Sequence, residues 1–342
     1  MATSASSPHS ARHSVKTSQF REIASGLGYP EGPVYRPDGS VLVVEISKGC
    51  LSSIAPDGTR SVVAQLGGGP NGAAIGPDGA VYICNDGGFE IVPIGHLQVA
   101  LNQPTGYIGG SIQRVAPDGS FTTLYTDFPV PLAVGAAANR LCSPDDLVFD
   151  SAGNFWFTDW GKTRARDRDV TGVYYAKPDG SSIVEKVFPL ESPNGIALSP
   201  NEDRLYVAES FTRRILYWEL SAPGTIRPNP KTLDGSYLLT SKIPFEACLD
   251  SMAIDEKGNL YVASFLPHGQ DPNSRGGITV VSPEAEILEW IEIDIGTPDP
   301  FPSNLCFGGP HRTTMYVTLS GTGRLIACEV RIPGKKPAFG AV

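Results

Sequence analysis

The chain has 342 residues, a formal net charge of −9 at pH 7 and six cysteines. The negative charge disfavours binding to nucleic acid or to an anionic membrane surface. No apolar run reaches the roughly 18 residues that a transmembrane helix needs, so we expect no membrane span. The cysteines are scattered without a CxxC pair, which indicates reduced thiols and a cytoplasmic protein.

The N-terminal segment differs in composition from the rest of the chain. Residues 1–19 are polar and rich in serine, and they lack the apolar core of a signal peptide. We therefore predict a disordered lead-in over residues 1–19. Residues 20–342 are predicted to form one domain, because a single structural unit recurs through them.

That unit is a polar residue, a short apolar strand, a turn and a second apolar strand. In the fourth unit, Asn194-Gly-Ile-Ala-Leu leads to Leu205-Tyr-Val-Ala-Glu. We call the first residue of each unit its lead. The six leads are Glu31, Asn71, Asp145, Asn194, Asp250 and Ser303. A strand-rich repeat of roughly fifty residues is typical of a propeller or an array.

The strand that follows each lead is apolar on both faces, which indicates burial on both sides. In a propeller the innermost strands of all blades surround a central channel. The sequence therefore predicts an all-β fold, a six-bladed β-propeller. The six leads should form a ring at one mouth of the channel.

The predicted ring has a composition suited to a metal. Every lead carries oxygen, three leads are carboxylates, and none is Lys, Arg or His. Facing carboxylates repel, and a hard divalent cation offsets that repulsion. Ca²⁺ accepts mixed carboxylate and amide oxygens and is the favoured ion, with Mg²⁺, Mn²⁺ and Zn²⁺ as alternatives. The lack of His and Cys argues against zinc. A ring of turn-capping residues is the alternative interpretation.

Several motifs occur in an order that resembles the gluconolactonase, senescence-marker-protein and regucalcin family. They are Pro30-Glu31-Gly32-Pro33, Ser143-Pro144-Asp145-Asp146-Leu147, Ser192-Pro193-Asn194-Gly195-Ile196-Ala197, Asn259-Leu260-Tyr261-Val262-Ala263 and Asn304-Leu305-Cys306-Phe307-Gly308-Gly309-Pro310-His311. The resemblance covers about residues 20–330. It implies a six-bladed propeller with one divalent cation at the channel mouth, and a metal-dependent lactonase.

The resemblance also implies roles for individual residues. Glu31, Asn194 and Asp250 fall on the family's metal ligands. Asp145 falls where many members have Asn, and it is the fourth predicted ligand. This Asp-Asp version, with Asp250-Ser251, is similar to the drug-responsive bacterial lactonase branch. Asn71 matches an Asn-Gly of many bacterial members and is predicted, like Ser251, to face the substrate.

The predicted activity is hydrolysis of a lactone or a related small cyclic carbonyl compound. A bound cation would polarise the carbonyl, and an Asp would take a proton from the attacking water. Asp146 and Asp250 are both candidates for this base. Three alternatives stay open: a cyclic diketone hydrolase in the same site, a non-catalytic propeller scaffold with a structural cation, and a strictosidine-synthase-like condensing enzyme.

Two apolar insertions, Phe89–Leu101 and Phe128–Ala138, are longer than a hairpin requires. Long loops in a compact domain are often lids or binding loops. We predict that these two roof the channel mouth, with Phe89 and His96 as candidate substrate contacts. A self-packed surface loop is the alternative. An apolar roof predicts a small, mostly apolar substrate rather than a sugar lactone.

Overall fold

A computed structural model describes residues 19–129, 139–266 and 274–340. The lead-in predicted for residues 1–19 lies outside the described residues except for Gln19. Most of the second predicted roof segment, residues 130–138, also lies outside them. Within the described ranges, no helix is long and apolar enough to cross a membrane. The helical turns described are two 3₁₀ turns, Ile46–Lys48 and Pro244–Glu246.

Among the described strands, five four-stranded and one five-stranded antiparallel sheet form six blades, as predicted for a six-bladed propeller. A first short strand, β1 (Arg21–Ala24), precedes blade I. Blade I contains β2 (Pro30–Tyr35), β3 (Val41–Glu45), β4 (Cys50–Ile54) and β5 (Arg60–Gln65). Blade II contains β6 (Pro70–Ile75), β7 (Val81–Asn85), β10 (Ser111–Val115) and β11 (Phe121–Tyr125), with the inserted hairpin β8 (Ile91–Ile94) and β9 (Leu97–Ala100).

A two-stranded sheet of β12 (Asp127–Phe128) and β13 (Asn139–Arg140) precedes the remaining blades. Blade III contains β14 (Pro144–Phe149), β15 (Phe155–Asp159), β16 (Thr171–Ala176) and β17 (Ile183–Leu190). Blade IV contains β18 (Pro193–Leu198), β19 (Arg204–Glu209), β20 (Arg214–Ala222), the short β21 (Thr225–Ile226) and β22 (Tyr237–Thr240). Blade V contains β23 (Cys248–Ile254), β24 (Leu260–Phe265), β25 (Gly277–Val281) and β26 (Ile287–Glu292). Blade VI contains β27 (Pro302–Gly308), β28 (Thr314–Leu319) and β29 (Arg324–Glu329).

The first strand of each blade surrounds the channel, and each packs against the first strand of the next blade. A cluster of buried apolar side chains fills the space between every pair of neighbouring blades. Between blades III and IV, for example, Trp156 and Trp218 lie in one such cluster. The double-sided apolar character of the first strands is therefore explained, because each lies between two neighbours.

The chain bulges at the same place in all six first strands. The register between first and second strand shifts at or directly after the lead in every blade, as between Glu31 and Val34 in blade I and between Pro144 and Leu147 in blade III. A β-bulge bends the strand and re-aims a side chain. This repeated bulge turns the leads out of the sheet register at the channel mouth.

Glycine after the lead lets neighbouring first strands approach closely. A Cβ on Gly72 would lie 2.4 Å from the Asp145 carbonyl oxygen, and a Cβ on Gly195 would lie 2.7 Å from the Asp250 carbonyl oxygen. Real Cβ atoms do not make such contacts, so only glycine fits at these two places. The Asn-Gly pairs of the sequence thus serve packing around the ring as well as turn formation.

A polar side chain at the end of the second strand holds the segment that enters the first strand in four blades. In blade III, Asp159 accepts hydrogen bonds from the backbone N–H groups of Cys142 and Ser143, both at 2.7 Å. The equivalent acceptors in blades I, II and IV are Glu45, Asn85 and Glu209. Each such bond fixes the backbone within a few residues of a lead.

The N-terminal strand closes the ring. Strand β1 pairs antiparallel with β29, with Arg21 opposite Ala327, and so supplies the fourth strand of blade VI. Composition did not indicate which terminus would do this. All six cysteines are free, in agreement with the absence of disulfides expected from their spacing.

Closure by β1 generates a prediction. Deleting residues 1–25 removes β1, exposes the edge of β29 and leaves blade VI with three strands. We expect the midpoint of thermal unfolding to fall by about 5 °C or more relative to the full chain. Deleting residues 1–18 alone is the control, and it should leave the midpoint unchanged. Equal midpoints for the two deletions would show that β1 does not stabilise the ring.

Candidate active site

The six leads converge at one mouth of the channel, where all of them line a cavity of about 600 Å³. Five of the leads are buried, and Asp250 alone among them is partly exposed. Their convergence follows from the bulge at each lead and from the backbone bonds that hold the preceding segments. The floor of this cavity is therefore the predicted ring of oxygen-bearing side chains.

The carboxylates of the ring are electrostatically crowded. Burial raises the pKa of Glu31 well above its ordinary value, and repulsion from Asp250 adds to the effect. Burial also raises the pKa of Asp145, with further contributions from Asp250 and Glu31. Burial raises the pKa of Asp250 to about 8, although a hydrogen bond from Asn194 acts in the opposite direction. A positive charge in the cavity would offset this crowding.

The amide leads bridge their neighbours. Asn71 Nδ2 donates to Asp145 Oδ2 at 3.2 Å and to Asp86 Oδ2 at 3.3 Å. On the other side, Asn194 Oδ1 accepts from the Ser251 hydroxyl at 3.3 Å. These bonds set the orientation of both amides, because the nitrogen of Asn71 must face the carboxylates.

The oxygen atoms of the ring side chains are the kind of ligand that a hard cation prefers. Asn71 Oδ1 and Asp145 Oδ1 are buried and lack a hydrogen-bond partner, although both residues line the cavity. Buried oxygens of this kind call for a ligand. Within the three described ranges, no three His, Cys, Asp or Glu side chains converge closely enough to hold a metal. A cation here would therefore draw on amide or hydroxyl oxygens in addition to carboxylates.

Asp146 and Ser251 lie one residue past their leads and contact each other beneath the ring. Asp146 accepts from the backbone N–H of Leu147 at 2.9 Å and lies beside Ser251 and the Ile196 backbone. It borders a second, smaller cavity of about 210 Å³ further along the channel. Burial raises the pKa of Asp146 to about 7. The structure thus separates Asp146 from the lead-lined cavity that Asp250 borders.

The inserted hairpin of β8 and β9 roofs the cavity. Its tip crosses the mouth, where His96 Nε2 hydrogen-bonds with the Pro298 carbonyl at 2.9 Å. The Gln98 backbone N–H donates to the Gly321 carbonyl at 2.7 Å, which ties β9 to the last blade. The inner side of this roof is mainly apolar. Its cavity-lining residues are Ile94, Gly95, His96, Leu97, Val99, Ala100 and Leu101.

Aromatic side chains form the walls. Phe89 packs edge-on against Trp160, with ring centroids 5.7 Å apart, and Trp160 packs against Phe211. Phe265 and Phe301 line the same cavity. The second predicted roof segment contributes differently in its described part, because Phe128 is buried in the core against Tyr174. Its residues 130–138 lie outside the described ranges.

Sequence reasoning missed several residues around the ring. Tyr29 lines the cavity between the ring and the roof and contacts the Ala100 backbone. Trp160 Nε1 donates to Ser210 at 3.0 Å, and Lys162 lies buried beside Asp86. The sequence did contain a signal for these residues, because in an antiparallel pair the second strand ends at the edge of the sheet where the first strand begins. Residues directly after a second strand therefore return to the mouth of the leads.

The comparisons with known proteins agree with this architecture. The family model for the SMP-30/gluconolactonase/LRE-like region matches residues 29–321. The gluconolactonase of Zymomonas mobilis is 27% identical, over 87% of this chain and 78% of that protein. The lactonase drp35 of Staphylococcus epidermidis is 28% identical over 69% of this chain. The chain spans 63% of that relative's length, a little under two thirds.

A solved structure extends the similarity to the whole fold. The calcium-binding protein regucalcin from Agrobacterium tumefaciens superposes with a TM-score of 0.68 at 14% identity. The superposition covers 96% of this chain and 99% of that one. Because the family model matches residues 29–321, well over half of the chain, the chain belongs to the SMP-30/gluconolactonase/LRE-like family.

Proposed function

We propose that this protein is a metal-dependent hydrolase that opens a small lactone. The observation that carries the proposal is the cavity itself, with an oxygen-only acidic floor beneath an apolar roof. Relatives named gluconolactonase and lactonase support a cyclic ester as the substrate class. A non-catalytic scaffold has no need of a crowded set of carboxylates facing a roofed cavity.

Glu31, Asp145, Asn194 and Asp250 would hold the cation, and the three carboxylates would have to move closer together to ligate it. Ca²⁺ is favoured, because it accepts carboxylate and amide oxygens. The similarity in fold to a calcium-binding protein is consistent with this choice. When bound, the cation supplies Lewis acidity to the lactone carbonyl and charge for the developing oxyanion. The floor residues of the chain then hold the carbonyl end of the substrate, and the roof covers the remainder.

Asp250 is the better placed of the two candidate bases. It borders the roofed cavity and is partly exposed, so a water molecule there can reach its carboxylate. Asp146 already accepts from the Leu147 backbone N–H and lies against Ser251 and the Ile196 backbone beneath the ring. We therefore assign proton transfer to Asp250 and a structural role to Asp146, as a link between blades III and IV.

The proposed reaction needs no reactant other than the lactone and one water molecule. Asp250 accepts a proton as the water oxygen bonds to the carbonyl carbon. The ring C–O bond then breaks, and its oxygen takes up the proton, which gives a hydroxy acid. The roof and its aromatic walls limit the access of other water molecules to the site.

The metal assignment predicts the effect of removing a ligand. We expect chelation to abolish hydrolysis and Ca²⁺ to restore it. Asp250→Ala should lose Ca²⁺ binding measured by titration calorimetry, because a charged ligand is gone. Asp118→Ala is the matched control, since Asp118 is exposed and caps its own turn at 2.9 Å from the Ser120 N–H. Wild-type Ca²⁺ affinity in Asp250→Ala would contradict the assignment.

The base assignment predicts different losses for two isosteric changes. With saturating Ca²⁺, Asp250→Asn should lower kcat by roughly 10²–10⁴, the usual contribution of a general base. Asp146→Asn should lower kcat by less, because Asn can keep part of the hydrogen bonding beneath the ring. Steady-state kinetics on both variants decide the matter. An equal or larger loss in Asp146→Asn, with metal retained, would return the role of base to Asp146.

The apolar inner side of the roof predicts which lactones are preferred as substrates. Each substrate hydroxyl buried without a partner costs about 1–3 kcal/mol, whereas covered apolar surface gains about 25 cal/mol per Å². We therefore expect kcat/KM for an alkyl γ- or δ-lactone to exceed that for gluconolactone. A cyclic diketone belongs in the same panel, since the same site would accept its carbonyl. A tenfold preference for gluconolactone would show that the roof does not select apolar substrates.

A further inference from the structure

Lys162 is a fully buried charged group near the cavity, and the proposed reaction makes no use of it. Its side chain has no exposed surface. Its Nζ donates to the Gly88 carbonyl at 2.7 Å and lies 3.4 Å from Asp86 Oδ1. The same ammonium group lies 3.7 Å from the centre of the Phe89 ring. A buried lysine is costly unless it is paired, so these contacts maintain it.

Two paths lead from Lys162 to the site. The first runs through Asp86, whose Oδ2 accepts from Asn71 Nδ2. Because Asn71 Nδ2 also donates to Asp145, both of its hydrogens are used. Asn71 Oδ1 is left without a partner on a residue that lines the cavity. The counter-charge of Lys162 keeps Asp86 in place as an acceptor, and Asp86 in turn sets the amide.

The second path runs to the base of the roof. Gly88 and Phe89 precede the hairpin of β8 and β9, from which only Glu90 separates them, and Phe89 is part of the cavity wall. Lys162 contacts the carbonyl of the first and the ring face of the second. The Lys162 side chain thus links the acidic floor of the cavity to the beginning of the roof.

We propose that Lys162 is a positioning residue, which orients Asn71 through Asp86 and anchors the roof through Gly88 and Phe89. Asn71 Oδ1 then acts as a fixed acceptor for a water molecule held beside the bound lactone. This inference rests on the proposed hydrolase function for its kinetic consequences. Its structural consequence, a firmly held roof, does not depend on any activity.

The kinetic test is a double-mutant cycle. Lys162→Met keeps an unbranched side chain that is one atom shorter and removes the charge. We expect KM for the best lactone to rise about tenfold with a smaller change in kcat, since Asp250 is not touched. In an Asn71→Ala background the same change should lower kcat/KM clearly less than in the wild type, because the contribution through Asp86 and Asn71 is gone and only the contribution of the roof remains. Additive losses, or an unchanged KM in Lys162→Met, would overturn the proposal.

A second variant guards against misfolding. Asp86→Asn removes the charge that Lys162 pairs with while keeping its shape, and it should raise KM in the same way. Lys335→Met is the matched control, because Lys335 is also largely buried but lies at the opposite cavity. Its Nζ donates to the Leu198 carbonyl at 3.2 Å, so its loss should affect stability and leave KM unchanged. A KM change in Lys335→Met equal to that in Lys162→Met would refute a specific role.

Hydrogen exchange separates failure of this inference from failure of the proposed function. Amides of residues 88–101 should exchange about tenfold faster in Lys162→Met and at the wild-type rate in Lys335→Met. If the wild type hydrolyses no lactone but this difference appears, the function is wrong and the anchoring is right. If the wild type is active and exchange and KM are both unchanged in Lys162→Met, the inference is wrong.

Discussion

The arrangement of the site depends on one repeated hydrogen bond, between the side chain that ends a second strand and the backbone that enters the first. Glu45, Asn85, Asp159 and Glu209 all make it. A buried backbone N–H must be paired, so the acceptor cannot move without exposing it. The bond fixes the chain just before a lead, and the bulge just after it directs the lead into the cavity. Four blades thus present their leads by the same device.

The six leads are held in a ring although the carboxylates among them repel one another. Its carboxylates are buried close together, which destabilises their ionised forms and raises the pKa of each. The fold can keep the carboxylates together despite this repulsion, because six sheets fix the backbone at the channel mouth. The amides of Asn71 and Asn194 lie between the acids and donate to them, which lowers the repulsion in part. Positive charge would offset the repulsion that remains between the carboxylates, so we expect a cation to bind at the floor of the cavity.

The sequence predicted the fold and the ring because both depend on periodicity. The alternation of a polar lead with a strand apolar on both faces gives the number of blades and the mouth at which the leads meet. It could not decide between Asp146 and Asp250 as the base, because the bulge determines whether the residue after a lead enters the cavity. Lys162 was missed for a related reason: its partners, Gly88 and Asp86, are more than seventy residues away.

The roof differs from the ring in how it is held, and this difference bears on specificity. A two-stranded hairpin has little stability by itself, so β8 and β9 depend on contacts at their ends. Those contacts are the tip at Pro298, the side at Gly321, Leu27 and Tyr29, and the base at Lys162. The ring is built into six sheets, whereas the roof meets the propeller at these few points. Substitutions on the inner side of the roof can therefore change which substrate is covered without moving the side chains that carry the chemistry.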